Sequence, residues 1–300
     1  MTTLGKAVTE RPALRKIVIP AYRAYARAMV FNRGPRVLAV SMPKAGTHLL
    51  AALLSNLPQM MFSGRHHVLR DFELPDARPP GERQGLNESE LDWGRFERAL
   101  AAVRKGQYLT AHFAALPKLV YLLAELEYRT IVMMRDPRDV AVSSVFYITR
   151  LERHPLHERF TTELKDFTER LMASIVGLPA TRDRRGLASI GRRIGRYQRW
   201  QEVPNVLFCR FEDLVGPSGG GSAEAQRRAI AAISEHVQRQ LSPARVDAVA
   251  AKTWSQKSST FRKGAIGDWT NHFSEEHRRA FKEIAGAQLV ELGYERSLDW

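Results

Sequence analysis

Apolar positions along this chain alternate between short unbroken runs and longer stretches at helical spacing. Arg36-Val-Leu-Ala-Val-Ser41 is a run of the length that suits a strand buried on both faces. It passes through Met42-Pro-Lys-Ala-Gly-Thr47 into His48-Leu-Leu-Ala-Ala-Leu-Leu54, where the apolar density predicts a helix. Similar runs at 107–111, ending at His112, at 129–134 and at 205–209 predict further strands. Helical patterns cover 116–126, 160–176, 190–202, 223–251 and 274–292, and Asp136-Pro137 opens another helix with Asp as N-cap and Pro in the first turn. Residues 75–90 and 216–222, rich in Pro, Gly and polar side chains, read as loops. Strands alternating with helices predict an α/β fold with a mainly parallel central sheet flanked by helices.

Ahead of the first strand, Val18, Tyr22, Tyr25 and Met29 recur at spacings of four, three and four, with Arg23 and Arg27 between them. This is a helical seam with a basic face. Residues 1–35 are accordingly read as a basic helical extension packed on a single domain, 36–300. A basic face can also lie on an anionic membrane, but packing on its own domain is the adopted reading.

The composition, 44% hydrophobic and 26% charged over 300 residues, is that of a globular protein and excludes a disordered or fibrous chain. The one cysteine, Cys209, excludes an intrachain disulfide and suits a reducing compartment. With no long apolar run and no apolar segment near residue 1, a cytoplasmic protein is expected. The 46 Lys and Arg against 32 Asp and Glu leave a charge of +14, which suggests an anionic partner. No nucleic-acid-binding motif accompanies that charge, so nucleic acid is not the expected partner.

Three segments carry chemistry. In Pro43-Lys44-Ala45-Gly46-Thr47 the glycine admits an anion close to the backbone, the amides opening the next helix face it, and Lys44 and Thr47 add a cation and a hydroxyl. Lys precedes Gly here, so the loop is not the G-x-x-x-x-G-K-[ST] phosphate loop. In the second segment, 129–144, a strand delivers Arg135 at its C-terminal end, and Ser143 follows on the next helix. Arg135 can grip a phosphate there, or it can pair with Asp139 while Ser143 is simply buried; the segment alone leaves both open. The third, Phe261-Arg262-Lys263-Gly264 and the residues through Phe273, has adjacent cations and a glycine in a stretch without periodicity, as suits a loop wrapped around an anion. No metal-ligand spacing is present.

In this order and at these separations, PKAGT, RDPRDVAVS and FRKGAIGDWTNHF resemble the PAPS-dependent sulfotransferases, over about Arg36 to Phe273. The resemblance implies a P-loop-like nucleotide-binding sulfotransferase fold and 3′-phosphoadenosine-5′-phosphosulfate (PAPS) as sulfuryl donor, with no metal. It implies that Lys44, Ala45, Gly46, Thr47 and His48 hold the 5′-phosphosulfate and that Arg135, Ser143, Arg262, Lys263 and Gly264 hold the 3′-phosphate. Trp254 falls where the family places an aromatic ring against adenine. His112 stands at the position of the general base for in-line attack, with Lys44 stabilising the leaving phosphate; a histidine suits that task near neutral pH. His66 and His67 are weaker candidates, in an expected loop after the first helix, and His154 and His157 read as surface residues.

The chain also departs from the family pattern. His48 replaces a threonine, Leu49 a tryptophan, and Thr110 a basic residue two positions before His112. The family's dimer motif is not preserved from Thr270. The segment between Trp254 and Arg262 is short, and 63–92 reads as a long polar loop carrying Arg65, His66, His67 and Arg70. Together they imply an open, basic mouth and an acceptor larger than a simple phenol, such as a glycosylated or lipidated small molecule. The alternatives to sulfuryl transfer are a P-loop kinase-like phosphotransferase and a non-catalytic polyanion-binding protein.

Overall fold

A computed structural model describes residues 12–29, 32–75, 88–181, 183–254 and 264–300. In chain order its first elements are α1 (Pro12–Ala28), β1 (Arg36–Ser41), α2 (Thr47–Asn56), β2 (Met61–Val68), α3 (Trp93–Ala101), β3 (Gln107–His112) and α4 (Pro117–Glu125). There follow β4 (Tyr128–Met134), α5 (Pro137–Arg150), α6 (Phe167–Val176), α7 (Ile190–Gln198), β5 (Val206–Arg210), α8 (Ala223–His236), α9 (Pro243–Thr253) and α10 (Glu275–Glu291).

The strands form one sheet of order β2-β3-β1-β4-β5, all in parallel. A parallel sheet must be covered on both faces, and alternate residues of each strand feed two cores. Leu38, Val40, Leu109, Ala111, Val132 and Met134 pack into one. Val37, Ala39, Tyr108, Ile131 and Met133 pack into the other, with Leu50, Leu53 and Leu54 of α2. Because the strands are parallel, their C-terminal ends lie along one edge, where open α/β sheets bind ligands.

Several expected elements change. The 223–251 helix is two helices, broken after His236 and restarted at Pro243, whose ring cannot continue a preceding turn but suits the first one. The 160–176 helix is interrupted between a π-helical turn, Arg159–Glu163, and α6, where Asp166 caps a fresh start through the Glu169 amide. The part of the expected 63–92 loop up to Val68 belongs to β2, an edge strand. Residues 76–87 of that loop lie outside the described residues. Beyond β2 the chain is pinned: the Leu74 amide donates to the Glu90 carbonyl and the Asp92 amide to the Phe72 carbonyl.

Helix α1 lies on β2. Tyr22 Oη donates to the Phe62 carbonyl, Arg23 Nε to the Gly64 carbonyl, and Gln107 Nε2 to the Ala26 carbonyl. Among the described residues no helix is long and apolar enough to cross a membrane.

Candidate active site

The Pro43–Thr47 turn leaves β1 and enters α2 through two left-handed residues, Lys44 at φ 73° and Gly46 at φ 112°. A Cβ on Gly46 would stand 2.7 Å from Met133 Sδ and 2.8 Å from the Phe211 ring, so the loop lies directly on the sheet. Gly46 is the N-cap of α2, and no side chain caps that end. An uncapped helix N-terminus keeps its amides and its partial positive charge for an outside anion. The Thr47 hydroxyl is hydrogen-bonded to Ser41 Oγ at 2.5 Å. Lys44 Nζ sits 4.1 Å from the centre of the Tyr147 ring, so α5 holds the loop's cation by a cation–π contact.

The second segment folds as its sequence implies. Asp136 caps α5 by accepting from the Arg138 amide, and Pro137 occupies the first turn. Arg135, at the end of β4, is buried; its guanidinium lies 4.4 Å over the Phe211 ring. Its Nη2 donates to Asp139 Oδ2 at 3.2 Å and to the Ala265 carbonyl at 2.7 Å. The Asp139 pairing is therefore made, yet it does not exhaust the guanidinium: Nε is buried with no hydrogen-bond partner among the described residues. A buried donor left unmade is costly, and an anionic ligand would satisfy it. Ser143 is buried on the same helix.

Asp139 also draws the third segment in. Fully buried, it accepts from the Gly267 amide at 3.0 Å and from the Trp269 amide at 2.9 Å. The Ile266 amide donates to the Gly219 carbonyl, and Gly264 is left-handed at φ 60°. The structure thus seats Gly264 and Ala265 beside Arg135. Arg262 and Lys263 lie outside the described residues, as does the whole short segment between Trp254 and Arg262. Trp254 itself is partly buried at the end of α9, a helix that packs on α2.

His112 ends β3, next to β1. Its Nδ1 donates to the Ser41 carbonyl at 2.7 Å. A carbonyl can only accept, so Nδ1 carries the proton and Nε2 of the neutral ring keeps its lone pair. Burial, reinforced by His66, His48 and Lys44 and opposed by the Ser41 bond, pushes the His112 pKa down to about 4. The ring is therefore neutral at pH 7.

Several residues at this edge sit differently from the sequence expectation, and Glu212 was not singled out. His66 lies on β2, not in a loop, with its ring 4.9 Å from that of His112. His154 is half-buried against Tyr147 at 5.6 Å, and burial together with Arg70, His157 and Lys44 pushes its pKa down to about 4. His157, also read as a surface residue, is half-buried and hydrogen-bonded to the Ile148 carbonyl. Glu212 accepts from the Asp136 amide at 2.9 Å, and burial raises its pKa to about 7. For Glu212 there was a local signal, its place two residues after Arg210, where β5 ends. Among the described residues no His, Cys, Asp or Glu group could hold a metal ion.

Comparison with known proteins places the chain in a family. Residues 34–293 match the family described as Sulfotransferase domain. Sulfotransferase 1E1 of Mus musculus is 27% identical over 189 residues, which cover 55% of this chain and 56% of that protein. Against that relative the chain spans little more than half the length. Sulfotransferase 2A1 of Homo sapiens is 22% identical over 285 residues, 87% of this chain and 86% of the human one. A crystal structure of a mouse sulfotransferase complexed with PAP superposes with a TM-score of 0.56 at 19% identity, covering 86% of this chain and 85% of that one, which is a likeness of fold.

Proposed function

The chain belongs to the sulfotransferase domain family, and from that membership we propose that it transfers a sulfuryl group from PAPS to an acceptor hydroxyl, or to an amine, with release of 3′,5′-ADP. The observation that carries the reading is the juxtaposition at the sheet edge. A histidine with its Nδ1 committed to Ser41 shares the sheet edge with an uncapped helix N-terminus and a buried arginine whose Nε has no partner among the described residues. The left-handed Gly46 and an Arg135 Nε without a partner among the described residues both fit an anionic nucleotide.

Lys44, Ala45, Gly46, Thr47 and His48 would receive the 5′-phosphosulfate. Arg135 and Ser143, with Arg262, Lys263 and Gly264, would receive the 3′-phosphate, and Trp254 the adenine. PAPS supplies the activated sulfuryl group. The acceptor oxygen forms the new S–O bond as the bond from sulfur to the bridging oxygen breaks; His112 Nε2 takes the acceptor proton, and the Lys44 ammonium offsets the charge developing on the leaving phosphate. Sulfuryl transfer by this arrangement needs positioning and cationic stabilisation.

Beside His112, β2 and the turn after it carry exposed His66 and Arg70. This supports a polar or anionic acceptor larger than a simple phenol, such as a glycosylated or lipidated metabolite. Calorimetry with 3′,5′-ADP, 5′-AMP and ATP tests the donor: 3′,5′-ADP should bind far more tightly than the others, and ATP binding equally well would refute the assignment. Sulfate transfer to simple phenols and to bulky hydroxylated acceptors tests the second substrate. Efficient use of phenols with the bulky compounds excluded would overturn the acceptor reading.

A further inference from the structure

Strand β2 is irregular at one place only along its pairing with β3. Met61 and Phe62 pair with Gln107 and Tyr108, but the next pairs are His66 with Thr110, His67 with Ala111 and Val68 with His112. Four residues advance on β2 where two advance on β3, so Ser63, Gly64 and Arg65 bulge around a left-handed Gly64 at φ 74°. Bulges re-aim the side chains that follow them, commonly beside active sites. Helix α1 covers this one: a Cβ on Gly64 would lie 3.0 Å from Arg23 Cγ and 3.1 Å from the Tyr22 ring.

The bulge sets His66 in register with Thr110, and side chains two apart on a strand share a face. His66, Thr110 and His112 therefore stand together. His66 Nδ1 is hydrogen-bonded to Thr110 Oγ1 at 2.9 Å, and its ring meets that of His112 edge-on, at 81°. Thr110 is the position where the sequence lacks the basic residue expected two before His112. A titratable group returns to that place from the neighbouring strand.

We propose that His66 is the positioning residue of the acceptor centre, anchored through Thr110 and holding the His112 ring in the neutral form and orientation that takes the acceptor proton. This rests on the reading of His112 as base. The contact restrains His112 from one side while the Ser41 carbonyl restrains it from the other. It also places a second imidazole where a protonated His112 would meet it. The other described groups that act on His112 are His48 and Lys44, from the anion loop and α2. His66 therefore disfavours protonation of His112 in the same sense as those two and against the Ser41 bond.

The test is a histidine titration by NMR, following His112 Cε1–H and its ring nitrogens in the whole protein. It compares wild type, His66→Gln and Thr110→Val, each first shown to melt cooperatively and measured for 3′,5′-ADP affinity by calorimetry. Removing a neighbour that opposes protonation raises the His112 pKa. An upward shift of at least about half a pH unit is expected in His66→Gln, with a smaller shift of the same sign in Thr110→Val. The Nδ1–H tautomer, set by the Ser41 carbonyl, should persist in both. An unchanged titration in both variants would overturn the inference, as would loss of 3′,5′-ADP binding, which would assign His66 to the nucleotide. His112→Ala, assayed with the best acceptor from the transfer screen, separates the two readings. If it keeps full turnover, the base reading falls. If it loses turnover while His66→Gln and Thr110→Val titrate like wild type, the role of His66 falls alone.

Discussion

Replacing Arg135 by lysine tests the nucleotide site at its most constrained point. The guanidinium is 6% exposed and stacked on Phe211, and its Nη2 is already shared between Asp139 and the Ala265 carbonyl. What remains for a ligand is the Nε–H, which has no partner among the described residues, and the Nη1 end of the fork. Lysine keeps the charge but has no second nitrogen, so it can hold Asp139 or reach a phosphate, not both in the planar geometry of a guanidinium. A hydrogen bond to a charged group contributes about 1.5–3 kcal/mol, and hence roughly 10- to 150-fold in affinity. The change also disturbs the 264–269 loop, so a bare drop in affinity would be ambiguous. Calorimetry with 3′,5′-ADP and 5′-AMP on both proteins removes the ambiguity, because the nucleotides differ only in the 3′-phosphate. Discrimination between them should shrink by roughly 10- to 150-fold in Arg135→Lys, while 5′-AMP affinity changes little. If both nucleotides weaken equally, or the discrimination is untouched, Arg135 does not read the 3′-phosphate.

Three further outcomes are expected. Gly46→Ala forces a Cβ at φ 112° into Met133 Sδ and the Phe211 ring, so thermal melting should show a loss of stability of about 1–3 kcal/mol and calorimetry a collapse of 3′,5′-ADP binding. Tyr147→Phe keeps the ring face under Lys44 and should preserve turnover, whereas Tyr147→Leu removes it and should lower kcat several-fold with 3′,5′-ADP affinity retained; equal behaviour of the two variants would deny the cation–π contact a role. Finally, His112 and His154 have folded-state pKa values pushed from 6.5 to about 4, so between those limits the unfolded chain binds more protons. Stability is present above about pH 6.5 and falls as pH drops toward 4, so melting temperature should decrease from pH 7.5 to pH 5 and decrease less in His154→Gln.

What the amino-acid order by itself determined is the part of this protein built from neighbours along the chain. Apolar runs bounded by polar residues specified β1, β3, β4 and β5, and Asp136-Pro137 specified the start of α5, because caps and strand burial depend on a few consecutive residues. The Pro43–Thr47 turn and Arg135 were legible for the same reason, since each lies where a strand ends or a helix begins and parallel strands bring such ends to one edge, whereas the role of His112 was implied by the family resemblance. Strand order and register were not legible, since they depend on contacts between segments far apart. The octapeptide Met-Phe-Ser-Gly-Arg-His-His-Val has neither an apolar run nor alternation, and it is a strand because β3 offers it hydrogen bonds and α1 covers its bulge. Asp139 likewise read as a helix residue that could pair with Arg135. Only folding across more than a hundred residues made it the anchor of Gly267 and Trp269, because a carboxylate buried this completely must be satisfied by whichever donors the tertiary structure delivers.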